Sequence, residues 1–364
     1  MANKYWIPGG TTTNWSDTTN WSLTSSGTRG AAVPTSADNV IFDSSSVYTV
    51  TMTGTMSCLD FTIAGGDVTF AQGTTPTLSV AGNFQLYVTT VWNMTGLVTF
   101  TATSAKTING NAMAFNGGII NSPFTFNGVG GSWTLLDNLT FAATRQITLT
   151  NGNLDFNNKS VTLAAGMTIV TGTNTLNNTG GTTVTISGPI THTSGTLTLG
   201  TNLTTTSITG YTLTAGTLSL GTNTLTTPIF SSANTNARTL AFGTGKIVLN
   251  GSATATIWNT STITSMTVTG TSLVECQGGG TAVTKTINTG TLSEANAINF
   301  SLLETTGTVT YAFTASNTVK NLIVNGLQTI SNIAITIYGI FTHTTTNGTT
   351  TFTGGANSWI TEIH

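Results

Sequence analysis

Two neighbouring stretches decide the fold: residues 195–203 read GTLTLGTNL, and residues 216–224 read GTLSLGTNT. Each has a glycine, an apolar–x–apolar step and a turn that contains glycine and asparagine. Weaker copies precede and follow them, so that the motif starts at Gly131, Gly152, Thr173, Gly195, Gly216 and Ala237. These starts recur at a nearly constant step of about 21 residues, as repeat architectures require. An upstream copy at Gly110 keeps this step before Gly131, and another at Gly66 lies about two periods earlier, whereas the downstream copies at Gly290 and Gly307 keep the motif but lose the strict step.

A period of about 21 residues with short alternating segments is typical of one coil of a β-solenoid. Alternate side chains point into a narrow interior, which favours Leu, Ile, Val and Phe, and the others face solvent. We therefore predict an all-β parallel β-helix or β-solenoid with coils of about 21 residues and capped ends. Tandem β-sandwich domains are the alternative, although they need longer strands and less regular spacing. The apolar period argues against low-complexity disorder.

The composition supports strands rather than helices. Threonine occurs 88 times among the 364 residues, and Lys, Arg, Asp and Glu together make up only 5%. Thr is β-branched and favours strands, and Asn and Gly favour turns. Residues 160–237 contain no Lys, Arg, Asp or Glu, which suits stacked coils because like charges on neighbouring strands repel.

Several classes of function are not expected. A net charge of −2 offers no basic surface for nucleic acid. Two cysteines, Cys58 and Cys276, provide neither a disulfide framework nor a cysteine metal site, and three scattered histidines form no metal pattern. No apolar run is long enough to span a bilayer, so membrane insertion is not expected either. We expect no cofactor.

We divide the chain into three segments. Residues 1–45 are predicted to form an N-terminal cap or attachment segment, residues 46–330 the solenoid, and residues 331–364 a C-terminal β cap with Asn347-Gly348 as a hairpin turn. Trp6, Trp15 and Trp21 in the first segment and Trp359 near the C-terminus are the candidate capping or docking residues. We favour a plug over the first coil for the N-terminal tryptophans, with sugar stacking as the alternative.

The acidic residues do not predict a catalytic site. Asp137 and Asp155 are separated by slightly less than one coil, and Asp43, Asp60 and Asp67 are also near one another in sequence. We interpret them as turn residues, and Cys58 and Cys276 as small buried side chains. We therefore expect no enzyme, with a polysaccharide-degrading β-helix as the alternative.

Thr-x-Thr steps at residues 148–150, 191–193 and 267–269 suggest an ice-binding array. They do not recur at a fixed phase of the repeat, so we do not expect them to share one face.

The N-terminal segment carries a pattern, W…NWS…NWS…VPTSADNVIFD over residues 5–43. It resembles β-helical structural proteins of bacteriophage particles, such as tail fibres or spikes and head fibre or decoration proteins, and it is similar to the start of autotransporter-type passengers. The resemblance implies a non-enzymatic appendage with capsid or tail proteins as partners and host surface polysaccharide as a ligand.

Residues 1–10 lack the apolar region of a signal peptide, which predicts synthesis in a host cytoplasm and location in the virion. Rods of this kind cover lateral apolar strips as homotrimers, so a homotrimer is also predicted. The alternative is a fragment of a bacterial surface adhesin or autotransporter passenger.

Overall fold

The computed structural model describes residues 1–111, 119–280, 282–314, 317–331, 335–344 and 351–353. The all-β prediction is confirmed: strands account for 51% of the structure, and no α-helix occurs among the described residues. Stacked parallel strands form β-solenoid coils of about 22 residues each. The β-sandwich alternative is wrong, because sandwiches pair their strands in antiparallel fashion.

The chain consists of two compact units, Met1–Thr182 and Thr183–His364, and contacts are concentrated within each of them. A 3-10 turn, Thr18–Asn20, lies in the first unit. Its strands are β1 (Asn3–Trp6), β2 (Trp21–Ser22), β3 (Asn39–Phe42), β4 (Val47–Met52), β5 (Thr55–Cys58), β6 (Phe61–Ile63), β7 (Asp67–Gln72), β8 (Thr77–Val80), β9 (Phe84–Gln85), β10 (Val91–Trp92), β11 (Val98–Phe100), β12 (Ala105–Asn109), β13 (Ile119–Ile120), β14 (Phe124–Leu135), β15 (Leu139–Phe141), β16 (Ile147–Asp155), β17 (Val161–Thr162), β18 (Met167–Ile169) and β19 (Thr173–Asn177).

The second unit contains a 3-10 turn, Glu294–Asn296. Its strands are β20 (Thr183–Ile186), β21 (Ile190–His192), β22 (Thr196–Leu199), β23 (Asn202–Thr205), β24 (Tyr211–Leu213), β25 (Gly216–Ser219), β26 (Thr224–Thr227), β27 (Phe230–Ser231), β28 (Arg238–Ala241), β29 (Lys246–Leu249), β30 (Ala255–Asn259), β31 (Met266–Thr269), β32 (Leu273–Cys276), β33 (Val283–Asn288), β34 (Asn299–Phe313), β35 (Asn317–Val319), β36 (Leu322–Ser331), β37 (Ile335–Ile337), β38 (Phe341–Thr344) and β39 (Thr351–Thr353).

Three strands make up a coil, and each pairs in parallel with the equivalent strand of the next coil. In the second unit the three columns are visible in the runs β20–β23–β26–β29–β32, β21–β24–β27–β30–β33 and β22–β25–β28–β31. Long strands such as β14 and β34 pass from one column into the next. Because three strands and their corners share one period, a strand that stays within one column is short.

The repeat motif supplies the buried stripe. Leu197, Leu218 and Leu240 lie in register on β22, β25 and β28, and all three are at most 1% exposed. Each fully buried side chain of this kind contributes about 1.5–3 kcal/mol relative to an exposed one. Gly216 turns the corner with φ +87°, and a Cβ there would overlap the carbonyl oxygen of Gly195. Glycine is therefore required at this point of the repeat.

Aromatic side chains also stack along the interior. In the second unit Tyr211, Phe230 and Trp258 are paired in register, with ring centroids 5.8 Å and 4.7 Å apart. In the first unit Phe61 and Phe84 stack at 5.2 Å. The interior of each unit is thus packed with side chains, which leaves the outer faces and corners as the surface open to a ligand.

Candidate functional site

The N-terminal tryptophans form a buried cluster. Trp6, Trp15 and Trp21 are 2%, 1% and 0% exposed. The ring centroid of Trp21 lies 5.2 Å from that of Trp6 and 4.9 Å from that of Trp15, and all three rings contact Phe42 of β3. Strand β1 of the N-terminal segment pairs in parallel with β3, so this segment adds a strand to the same stack.

The two Asn-Trp-Ser copies bind each other. The Nδ2 of Asn20 donates to the carbonyl of Asn14 at 2.8 Å, and the Nε1 of Trp21 donates to the carbonyl of Trp15 at 2.7 Å. Asp17 caps the 3-10 turn between them by accepting from the backbone N–H of Thr19. The repeated motif therefore builds one local structure rather than two independent sites.

Burial decides what these tryptophans can do. Their rings are not accessible to stack on a sugar and pack against Phe42, while their role as a cap over the first coil stays a prediction. Docking by the surface of residues 1–45 stays a prediction. Trp359 and the Asn347-Gly348 turn lie outside the described residues.

Two of the acidic residues accept hydrogen bonds at the corners. Asp155 accepts from Thr179 and from the backbone N–H of Asn157, and Asp60 accepts from the backbone N–H of Asn83. Although burial opposes ionisation, hydrogen bonds from Thr179 and Asn157 hold the pKa of Asp155 below its ordinary value. Glu275 pairs with Lys246 at 2.8 Å. The contacts of Asp155 and Asp60 fit the turn interpretation, whereas Glu275 lies within β32 and Asp67 begins β7, so the interpretation is wrong for these two.

Both cysteines are buried. Burial raises the pKa of the Cys58 thiol, so the group is protonated at neutral pH. Among the described residues, no three His, Cys, Asp or Glu side chains come together to hold a metal ion. The described part of the chain also has no helix long and apolar enough to cross a membrane.

The outer side of β22, β25, β28 and β31 carries two columns of hydroxyl groups. Thr196, Thr217, Thr239 and Thr267 lie in register in one column. The second column contains Thr198, Ser219 and Thr269, and Ala241, which has no hydroxyl, lies between Ser219 and Thr269. The seven hydroxyls make no side-chain hydrogen bond within the described chain. Neighbouring strands are about 4.8 Å apart, which sets the spacing along each column. We call the seven residues that carry them the hydroxyl face.

Of the three Thr-x-Thr steps noted in the sequence, residues 267–269 lie on this face, whereas residues 191–193 begin on β21 in another column, so these two steps do not share a face. The hydroxyl face is instead built from residues whose spacing in the sequence is uneven. Two steps of the first column are close to one coil, whereas the step from Thr239 to Thr267 is longer. The corners absorb the extra residues while the strands keep register. The first unit shows the same effect, with an outward column of Ser57, Ser79, Thr99, Thr125, Thr148 and Thr168. Sequence spacing alone missed these columns because it counts residues in corners as well as in strands.

A cleft of about 480 Å³ opens at one corner of the second unit. It lies where successive coils turn from the β23 column to the β24 column. The corner at residues 228–229 has two residues, whereas those at 206–210 and 250–254 have five each. The short corner is thus flanked by two longer ones, and the gap between them is the cleft.

The lining of the cleft is uncharged. Its apolar members are Ile208, Pro228, Ile229, Ala253, Ala255 and Ile257. Polar groups come from the long corners, chiefly Thr206, Asn250, Ser252 and Thr254. No repeat motif marks this place, because the cleft arises from differences in corner length.

No protein-family model, curated protein or solved structure matches the chain.

Proposed function

We propose that the protein is a non-enzymatic structural protein of a phage particle. It forms a β-helical appendage, a tail fibre or spike or a head fibre or decoration, located on the virion. The observation that carries the proposal is the combination of a filled interior with outer strands that present unbonded, uncharged hydroxyls. A β-solenoid is consistent with a fibre-like or adhesin-like protein, and the resemblance of residues 5–43 favours a particle.

The proposed mechanism is mechanical and adhesive. Backbone hydrogen bonds between coils stiffen each unit, and the hydroxyl face supplies donors and acceptors for host surface polysaccharide. Residues 1–45 dock on capsid or tail proteins. Exposed apolar side chains outside the corner cleft, among them Val47 at 78% and Val129 at 76%, are covered by other copies in a homotrimer.

The test uses the particle itself. Virions are purified on a density gradient from a culture that produces the chain, and an antibody against the recombinant chain is used for blotting and for gold labelling in the electron microscope. We expect the chain in the virion band, with gold on an appendage. Recovery only in the cell-envelope fraction would overturn the proposal in favour of the adhesin alternative.

Two further measurements use the purified chain. Sedimentation equilibrium at micromolar concentration should yield three times the mass of one chain, and a monodisperse monomer would contradict the trimer. Incubation with host capsule or lipopolysaccharide should release no reducing ends. Such release would contradict the non-enzymatic part of the proposal.

A further inference from the structure

We propose that the corner cleft of the second unit is a binding site for a neutral sugar ring of a surface glycan. The inference deepens the proposed function and rests on it, since a host surface glycan would supply the ring. The volume of about 480 Å³ lies within the range of about 300–1,000 Å³ that is usual for small-molecule sites.

The uncharged lining of the cleft favours an uncharged ligand. None of the residues that line the cleft is ionisable. An anionic or cationic ligand would lose hydration on entering and would gain no opposite charge in return. The cleft therefore fits an uncharged ligand.

The distribution of polar groups selects an amphipathic ligand. Pro228 and Ile229 of the short corner are partly exposed and present apolar surface. Asn250 and Ser252 stand exposed at the long corner. A wholly apolar ligand would cover these polar groups without binding them, at a cost. A pyranose ring has an apolar C–H face and an edge of hydroxyls, and it matches both surfaces.

Two side chains are free to hold the hydroxyl edge. The Asn250 amide and the Ser252 hydroxyl make no side-chain hydrogen bond within the described chain, whereas Thr254 accepts from the backbone N–H of Thr284 at 3.1 Å. The Asn250 amide offers a donor and an acceptor side by side, as adjacent sugar hydroxyls require. Asn250 is thus the proposed orienting residue, and Pro228 and the neighbouring isoleucine provide the surface under the ring.

The experiment uses the full chain on a printed array of neutral and anionic glycans, followed by calorimetry with the strongest neutral oligosaccharide. We expect binding to neutral glycans. The variant Ala253→Trp fills the cleft and should abolish binding, and Asn250→Ala should weaken it about tenfold. The matched control is Ala233→Trp, an exposed alanine of the same unit outside the cleft, which should bind as the wild type does.

Other outcomes overturn the site. Binding to anionic glycans only, or to none, contradicts the ligand class. Neutral binding that survives Ala253→Trp, with the variant folded by circular dichroism, places the ligand elsewhere, for example on the hydroxyl face. Particle association is measured separately, so a chain that co-purifies with virions but binds no sugar contradicts this inference alone. A chain that binds sugar but is absent from virions contradicts the proposed function alone.

Discussion

The indole N–H of Trp21 donates a hydrogen bond of 2.7 Å to the backbone carbonyl of Trp15. Both residues are almost fully buried, so the bond joins the two Asn-Trp-Ser copies beneath the surface. By contrast, the buried indole N–H of Trp133 has no partner among the described residues. Trp21 and Trp133 therefore allow the same substitution to be compared with and without a hydrogen bond.

We predict that Trp21→Phe destabilises the chain by about 1 kcal/mol more than Trp133→Phe, because only the first leaves a buried carbonyl without its donor. Denaturant titration followed by circular dichroism measures the two changes. Equal shifts in the midpoint would show that the bond between Trp21 and Trp15 contributes nothing to the stability of the tryptophan cluster.

Arg238 is the second site for a stability test. Its side chain is 2% exposed, and its guanidinium donates to the carbonyls of Ser232, Asn236, Thr262 and Thr264 at the corners around it. Replacing Arg238 with Met leaves these acceptors unpaired, which we expect to cost about 3 kcal/mol.

The matched control for Arg238 is Arg145→Met, since the buried Nε of Arg145 has no partner in the described chain. Thermal unfolding midpoints of the two variants are compared. A fall in the thermal midpoint for Arg145→Met as large as that for Arg238→Met would contradict the role of Arg238 as a hydrogen-bond donor to the corner carbonyls.

His192 should make stability depend on pH. Burial lowers the pKa of His192 below its ordinary value of 6.5. Its Nδ1 lies 3.0 Å from the hydroxyl of Tyr211, and its Nε2 lies 3.2 Å from the carbonyl of Gly195. As the pH falls through about 6.5, the unfolded chain takes up a proton that the folded chain does not. Stability is therefore complete above about pH 7.5 and declines as the pH falls towards the lower, folded pKa.

We expect the thermal midpoint of the wild type to fall between about pH 7.5 and 5, and His192→Gln to remove most of that slope. His343→Gln is the control, because His343 is exposed. Persistence of the full slope in His192→Gln would assign the pH dependence to other groups.

The hydroxyl face should tolerate loss of its hydroxyls. Thr217→Val is expected to change stability by no more than about 0.5 kcal/mol, because its hydroxyl binds nothing within the described chain. Thr289→Val should cost about 1–3 kcal/mol, because that buried hydroxyl lies 3.1 Å from the Oδ1 of Asn317 and accepts from the N–H of Thr318.

Urea denaturation of the two threonine variants provides the comparison. A large loss of stability for Thr217→Val would mean that the hydroxyl face stabilises the fold rather than being available to a ligand.

The repeat made the solenoid predictable because inward residues obey a strict alternation. Leu197, Leu218 and Leu240 are spaced by nearly one coil, and the structure stacks them. The N-terminal tryptophans are buried against Phe42, and their role as a plug over an open coil stays a prediction.

The outer surface was less predictable. The step from Thr239 to Thr267 is longer than one coil, yet the two residues are paired, because the intervening corners vary in length. The cleft depends on a two-residue corner at 228–229 between longer ones, and no motif marks such a difference. Arg238 marks only the end of a charge-free run in the sequence, whereas in the structure it is buried because its donors meet corner carbonyls.

The unequal corners at 206–210, 228–229 and 250–254 have a consequence for how this chain can change over generations. The flanking strands keep register whatever the corner length, so insertions and deletions at corners leave the interior untouched. Every coil can thus acquire its own ridge or hollow independently of its neighbours. New recognition surfaces can arise by loop-length variation alone, on a frame whose apolar residues stay the same.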